Sequence, residues 1–197
     1  LKDEWKKITK PLEKRKEKPL RFLRYFLMAN YIIRNDRNDS VVREDEIYDW
    51  FVSRDNTALC NYAGKPFEFV RKVIRNVEYY LNFAMGLGND GTPSVAMDNL
   101  RRLAGGAFSL HYVLLLAAAG FPRTLFEHFV AQLESFLFYY IFTRTPTKDL
   151  ERSFSLWADE LRTIAETTDP VKQKIQLNTF IVDRFEKNMA GKYQELA

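Results

Sequence analysis

The sequence predicts an all-α protein, an irregular bundle of about eight helices packed around a central apolar helix at residues 107–119. Three observations predict it. Apolar residues recur at spacings of three and four along most of the chain, the period of a helix face. No stretch alternates apolar and polar residues long enough to demand a strand. The 8 Gly and 7 Pro fall in clusters, as turns between helices require. Hydrophobic residues make up 46% of the 197, which is ample material for a core and argues against disorder. The expected helix share is about two-thirds, well above the usual third.

Residues 2–17 read as a polar helix with a thin apolar seam at Trp5, Ile8 and Leu12. They are taken as a basic extension of a single helical domain at 18–197. Pro19 opens a second helix, whose buried face is expected to hold Leu20, Leu23, Phe26, Leu27 and Tyr31. Residues 34–40 are a polar loop. A helix at about 43–54 turns Ile47, Trp50 and Phe51 inward and places Glu44, Asp45 and Glu46 in its first turn, where the helix dipole favours them. Residues 55–65 read as a turn. The helix at 66–85 starts on Pro66 and shows one unbroken face through Val70, Val73, Ile74, Val77, Leu81 and Ala84.

A Gly-rich loop follows at 86–93, then a helix at 95–104 that ends on Gly105-Gly106. Residues 107–119 are apolar on nearly every side, as a helix buried all round must be. They are too few for a membrane span, which needs roughly 20 apolar residues. Helix 123–142 buries Leu125, Phe129, Leu133, Phe136, Leu137 and Tyr140, and helix 148–166 buries Leu150, Phe154, Trp157, Leu161 and Ile164. Asp169 caps the last helical region, with Pro170 at its first position and an expected break near Asn178.

The chain carries 30 Lys and Arg against 26 Asp and Glu, unevenly placed. Residues 1–24 hold ten of the cations and four of the acids, so the excess positive charge sits in the first segment. A nucleic-acid-binding domain spreads its basic charge over a face of the fold. A solvated Lys/Glu-rich helix explains the same residues without any ligand. The single cysteine, Cys60, excludes a disulfide framework and a thiolate zinc site. The opening residues are charged and lack the apolar centre of a secretory signal, so a cytoplasmic setting is expected.

Few residues suggest chemistry. Arg123 and His128 stand at Arg-x4-His, a spacing that some helical ribonucleases of the HEPN class place at a scissile phosphate. Thr124 follows Arg123 where those enzymes carry a polar Asn, Asp or His, and Arg123 begins its helix beside Pro122. The alternative is a surface pair beside a core face. His111 reads as a core histidine, Cys60 as an unreactive thiol, and Glu44 to Glu46 as a solvated turn, because adjacent helical residues point different ways. The run Gly86-Leu-Gly-Asn-Asp-Gly91 follows a helix and lacks the Gly-Lys-Ser/Thr ending of a phosphate loop. No catalytic residue, metal site or cofactor is therefore assigned. If the chain touches DNA, two basic sets would do it. One is the N-terminal segment with Lys6, Lys7, Lys10, Lys14, Arg15 and Lys16. The other is Arg144, Lys148 and Arg152, around a turn that Pro146 stiffens and whose Thr145 and Thr147 could donate to phosphate.

Several segments resemble the helical middle region of GmrSD-type restriction proteins. They are Lys18-Pro-Leu-Arg-Phe-Leu-Arg-Tyr-Phe-Leu27, Val42-Arg-Glu-Asp-Glu-Ile-Tyr-Asp-Trp-Phe51 and Tyr112-Val-Leu-Leu-Leu-Ala117. The last runs from Leu133 to Phe154 and contains Phe138-Tyr-Tyr-Ile-Phe-Thr-Arg-Thr-Pro-Thr147. In that family a ParB/sulfiredoxin-like domain precedes such a region, and an HNH-type nuclease domain often follows it. Neither the family's Asp-Gly-Gln-Gln-Arg motif nor a His-Asn-His-like cluster is present here, and Leu1 is not an initiator Met. The resemblance implies an excised, non-catalytic scaffold domain of a modification-dependent, phage-defence nuclease, in contact with its other domains and with DNA. A protein-binding helical module unrelated to DNA, and a ribonuclease using Arg123 and His128, are the alternatives. No membrane partner is expected, and the sequence leaves the oligomeric state open.

Overall fold

In the computed structural model, residues 2–33, 41–105, 108–144 and 147–196 are described, without the side chains of residues 2, 147–149 and 192–196. Every regular element among them is helical, with no strand. In chain order come α1 (Lys2–Lys14), α2 (Pro19–Asn30), α3 (Ile47–Val52), α4 (Arg54–Cys60), α5 (Pro66–Ala84), α6 (Val95–Ala104), α7 (His111–Ala117), α8 (Arg123–Phe142), α9 (Thr147–Ala165), α10 (Pro170–Phe180) and α11 (Lys187–Leu196). A π-helical stretch, Ile181–Glu186, joins α10 to α11, so the eleven segments form ten rods rather than the expected eight.

One rod, α4, is not among the helices read from the sequence, and its cause is local. The polar residues 55–65, expected as a turn, contain α4. The Ser53 side chain accepts from the Asn56 N–H, which starts this helix, and Asn61 ends it in the left-handed conformation at φ +51°. The segment before α3 is a 3-10 turn at Glu44–Glu46, so the expected helix at 43–54 is split at Ser53. At the other end of the chain there is no break near Asn178. The backbone stays helical and widens into the π stretch instead.

α7 holds the centre, packed against α2, α5 and α9. It is shorter than the expected 107–119, whose first residue lies outside the described ones. Val113, Leu114 and Leu115 are inaccessible to solvent, on successive sides of the helix. Turns close it at both ends. Val113 N–H donates to Leu110 O at 3.0 Å, and Phe121 N–H donates to Ala118 O at 3.0 Å. The Tyr25 hydroxyl of α2 donates to Ser109 Oγ at 2.6 Å and pins the incoming turn. α8 packs on α6 and on the π stretch, and α10 packs on α9.

An aromatic cluster joins α8, α9 and the π stretch. The Phe136 ring lies 4.7 Å from that of Phe185 and 5.7 Å from that of Trp157, and Phe129 lies 6.1 Å from Phe185. Such tilted and offset contacts add to the area term of ring burial. α1 also belongs to this core. Ile8 and Leu12 are buried and the helix packs on α5, while Trp5 of the same seam stays partly exposed. Leu20, expected on the buried face of α2, is 53% exposed, while Phe22 in the same first turn is closed to solvent, so the buried face runs through Phe22 instead.

Phe136→Ala and Trp157→Ala should each lower stability by about 3–5 kcal/mol in urea unfolding, since each removes a ring from a closed cluster. A loss below about 1 kcal/mol for either would mean that the α8–α9 contact is not the core.

Candidate nucleic-acid interface

The last turn of α1 places its basic residues. Glu17 N–H donates to Leu12 O and Lys16 N–H to Glu13 O, both at 2.9 Å, with Lys16 between them at φ +61°. This pattern ends a helix on a left-handed residue, a position where glycine is the usual choice. The Glu17 carboxylate, carried inward, accepts the Tyr80 hydroxyl at 2.7 Å. Lys14, Arg15 and Lys16 thus surround the carbonyl end of α1, where the helix dipole favours cations. Lys6 and Lys7 are tied to Asp3 and Glu4 at 2.9 and 2.7 Å. Lys10, Lys14, Arg15 and Lys16 are exposed and make no ion pair among the described residues.

The second basic set is partly described. Arg144 is exposed and left-handed at φ +53°, just past α8, and its N–H donates to Ile141 O at 3.1 Å. Arg152 is exposed on α9. The side chains of Thr147 and Lys148, and all of Thr145 and Pro146, lie outside the described residues. A third basic group is consumed inside the fold. Arg24 of α2 pairs with Glu151 of α9 and donates from Nε to Val42 O at 2.7 Å.

Arg123 and His128 are not brought to one point. The Arg123 guanidinium donates to Asp90, to Thr92 Oγ1 and, at 2.8 Å, to Pro93 O, and it lies 2.9 Å from Glu127 Oε1. His128 Nε2 instead meets Asn178 Oδ1 of α10 at 3.2 Å. The Gly-rich loop that Arg123 holds is a clasp. Gly88 N–H donates to Thr92 O at 2.8 Å, and Asp90 Oδ1 accepts the Thr92 N–H at 3.0 Å. These bonds with Thr92, together with Arg123, hold the Asp90 carboxyl below its ordinary range. A Cβ at Gly88 would sit 2.3 Å from Arg123 Nη1, so a larger residue there would make the guanidinium shift. Asn89 Nδ2 donates to Ala119 O and Phe121 O at 3.1 and 2.7 Å, satisfying carbonyls of the turn after α7. Spacing alone could not reveal this clasp, since its partners lie about thirty residues apart. The Asp-Gly pair at 90–91 marked only the turn.

The other chemical candidates are structural. His111 is buried between Phe108 and Tyr112, with ring centroids 5.9 and 4.4 Å away, and burial pushes its pKa down to about 3. Burial also pushes the Cys60 thiol up to about 11, away from the thiolate form that reacts. Glu46 accepts the Arg43 N–H at 3.1 Å and Glu44 lies 3.5 Å from Arg21, so the acidic turn caps and pairs locally. No cluster of three metal-ligating side chains occurs among the described residues, and none of their helices is long and apolar enough to cross a membrane. No protein-family model matches the chain, and no curated protein or solved structure matches it either.

Arg123→Ala should lower stability measurably, because Asp90 and the Pro93 carbonyl lose their shared donor at once, and Arg123→Lys should recover little of it. Urea midpoints of the three proteins decide this, and equal midpoints would show that the clasp is idle. His111 gives a pH dependence. Its folded pKa lies below the unfolded 6.5, so its contribution is complete above pH 6.5 and is lost as pH falls toward 3. Stability should fall by up to about 1.4 kcal/mol per unit between pH 6 and 4.5. His111→Phe should flatten that slope, and an unchanged slope would assign it to another group.

Proposed function

We propose that this chain is a non-catalytic helical scaffold and interaction domain of a modification-dependent DNA restriction protein of the phage-defence type. In this reading it packs against the other domains of that protein, and the exposed cations at the end of α1 make nonspecific contact with DNA phosphates. The observation that carries it is the division of labour among polar side chains. Arg123, Arg24, His111 and Glu17 are spent on holding helices and loops together, whereas Lys10, Lys14, Arg15 and Lys16 are left outward and unpaired among the described residues. The order of the resembling segments from Lys18 to Phe154 supports the family part of the proposal. The folded body beyond residue 24 has more acids than cations, which suits a spacer or subunit contact better than a groove reader.

Titration of labelled duplex DNA at low and moderate salt tests the contact. Binding should weaken steeply with salt, because each phosphate contact releases counterions. Charge reversal of Lys14, Arg15 and Lys16 to Glu should abolish it, while Arg144→Ala with Arg152→Ala should have a smaller effect. Reversal is preferable to deleting residues 1–17, which would strip Ile8 and Leu12 from the core. Binding that survives the reversal would move the contact elsewhere, and none at low salt would remove DNA from the proposal. Cleavage of RNA or DNA that vanishes in His128→Ala would overturn the non-catalytic reading and favour a ribonuclease.

A further inference from the structure

The last turns of α8 are apolar on every side. Phe136, Leu137 and Tyr140 are buried against the bundle, whereas Phe138, Ile141 and Phe142 are 59%, 40% and 78% exposed. A helix apolar all round belongs inside a core, and the described residues cover only one side of this one. The three outer residues stand at i, i+3 and i+4, the spacing of one helix face. The Phe138 and Phe142 rings lie 6.1 Å apart and 15° from parallel, so they form one contiguous patch and not two scattered side chains. Opposite charges stand at the two ends of this stripe. Glu134 lies one turn before Phe138, and Arg144 lies just past Phe142. Both reach solvent, and neither side chain makes an ion pair or hydrogen bond among the described residues. Ser135, next to Glu134, is exposed and small, and its hydroxyl is already satisfied by Ala131 O at 3.1 Å.

An apolar stripe with an acid at one end and a base at the other is complementary to itself run backwards. A two-fold axis near residue 139, midway between the charges, sets Glu134 of each copy against Arg144 of the other. The charges are ten residues apart, about 15 Å along the helix at 1.5 Å per residue, so both pairs form at once. The same operation brings Phe142 of each copy to Ser135 of the other, where a small side chain leaves room for a ring. It also sets the two Phe138 side chains beside each other across the axis. A nucleic acid or an anionic bilayer on this stripe would leave the Glu134 carboxylate facing phosphates. We propose that the outer face of α8 pairs with the same face of a second copy, the two helices antiparallel, and that the protein dimerises through it. The dimer goes beyond the contact with DNA and does not depend on it.

Sedimentation velocity of the full chain from about 1 μM to about 1 mM spans the affinities of small interfaces. The protein should pass from monomer to dimer within that range. Phe138→Ser and Phe142→Ser should each raise the dissociation constant at least about ten-fold, as expected when an aromatic anchor is removed. Both side chains are exposed, so circular dichroism and urea midpoints should stay those of the unchanged protein. Glu134→Arg and Arg144→Glu each bring like charges together twice, and each should weaken the dimer by about ten-fold. An equal mixture of these two variants should dimerise again, because opposite charges then meet at both ends. The double variant should recover for the same reason. That recovery belongs to the antiparallel pairing and to no other arrangement of the stripe. A chain that stays monomeric, a dimer unmoved by Phe142→Ser, or charge reversals that do not compensate one another would overturn the proposal. A monomer whose Phe138 and Phe142 amides shift on titration with an oligothymidylate would also overturn it, by giving the rings to nucleotide bases.

Discussion

A seven-residue helix with no exposed side sets the terms for this fold. Because Val113, Leu114 and Leu115 are all closed to solvent, α7 must be covered by neighbours in every direction. Its residues contribute apolar area on all sides, which is the dominant favourable term in folding. So short a helix is unstable alone and exists only because α2, α5 and α9 enclose it. The turns at its two ends are held from α2 and from the Gly-rich loop. Tyr25 reaches the turn before it and Asn89 the turn after it.

The polar residues follow from the same constraint. A short central helix leaves long surface helices to be fastened by side chains that cross between them. Arg24 joins α2 to α9, Arg162 reaches from α9 to a carbonyl of α2, and Arg184 pairs with Glu160 of α9. Arg123 performs the same service for the loop that leads into α6. Residues that could in other settings bind phosphate or move protons are thereby fixed in place. What remains outward at the carbonyl end of α1 is a group of cations, Lys10, Lys14, Arg15 and Lys16, that make no ion pair among the described residues.

Much of the architecture was legible in the sequence. The bounds of α6 and α8 fall where periodicity, Gly and Pro placed them, and Asp169 caps α10 with bonds to Val171 and Lys172. These features are local, and local rules suffice for them. The central position of the apolar segment was also readable, because a helix apolar all round has only one place to go. Its length was not, since the turns at Leu110 and Ala118 are made of the same apolar residues as the helix. α4 was missed because Arg54, Asp55, Asn56 and Thr57 carry no apolar period, and a cap alone started it. The site was harder to read. Arg123 and His128 looked like a pair because they are close in sequence, yet each is claimed by a residue far along the chain, Asp90 and Asn178. The basic residues of α1 were visible, but which of them are paired depends on the rotamers of Asp3 and Glu4.

Amide hydrogen exchange read residue by residue tests the central role of α7 most directly. If the bundle is organised around it, the amides of residues 114–118 exchange only through global unfolding, with an opening free energy equal to that from urea denaturation and the largest in the protein. Amides of α7 that exchange through a smaller opening, while those of α8 and α9 stay protected, would contradict the account, because the bundle would then hold together without its centre.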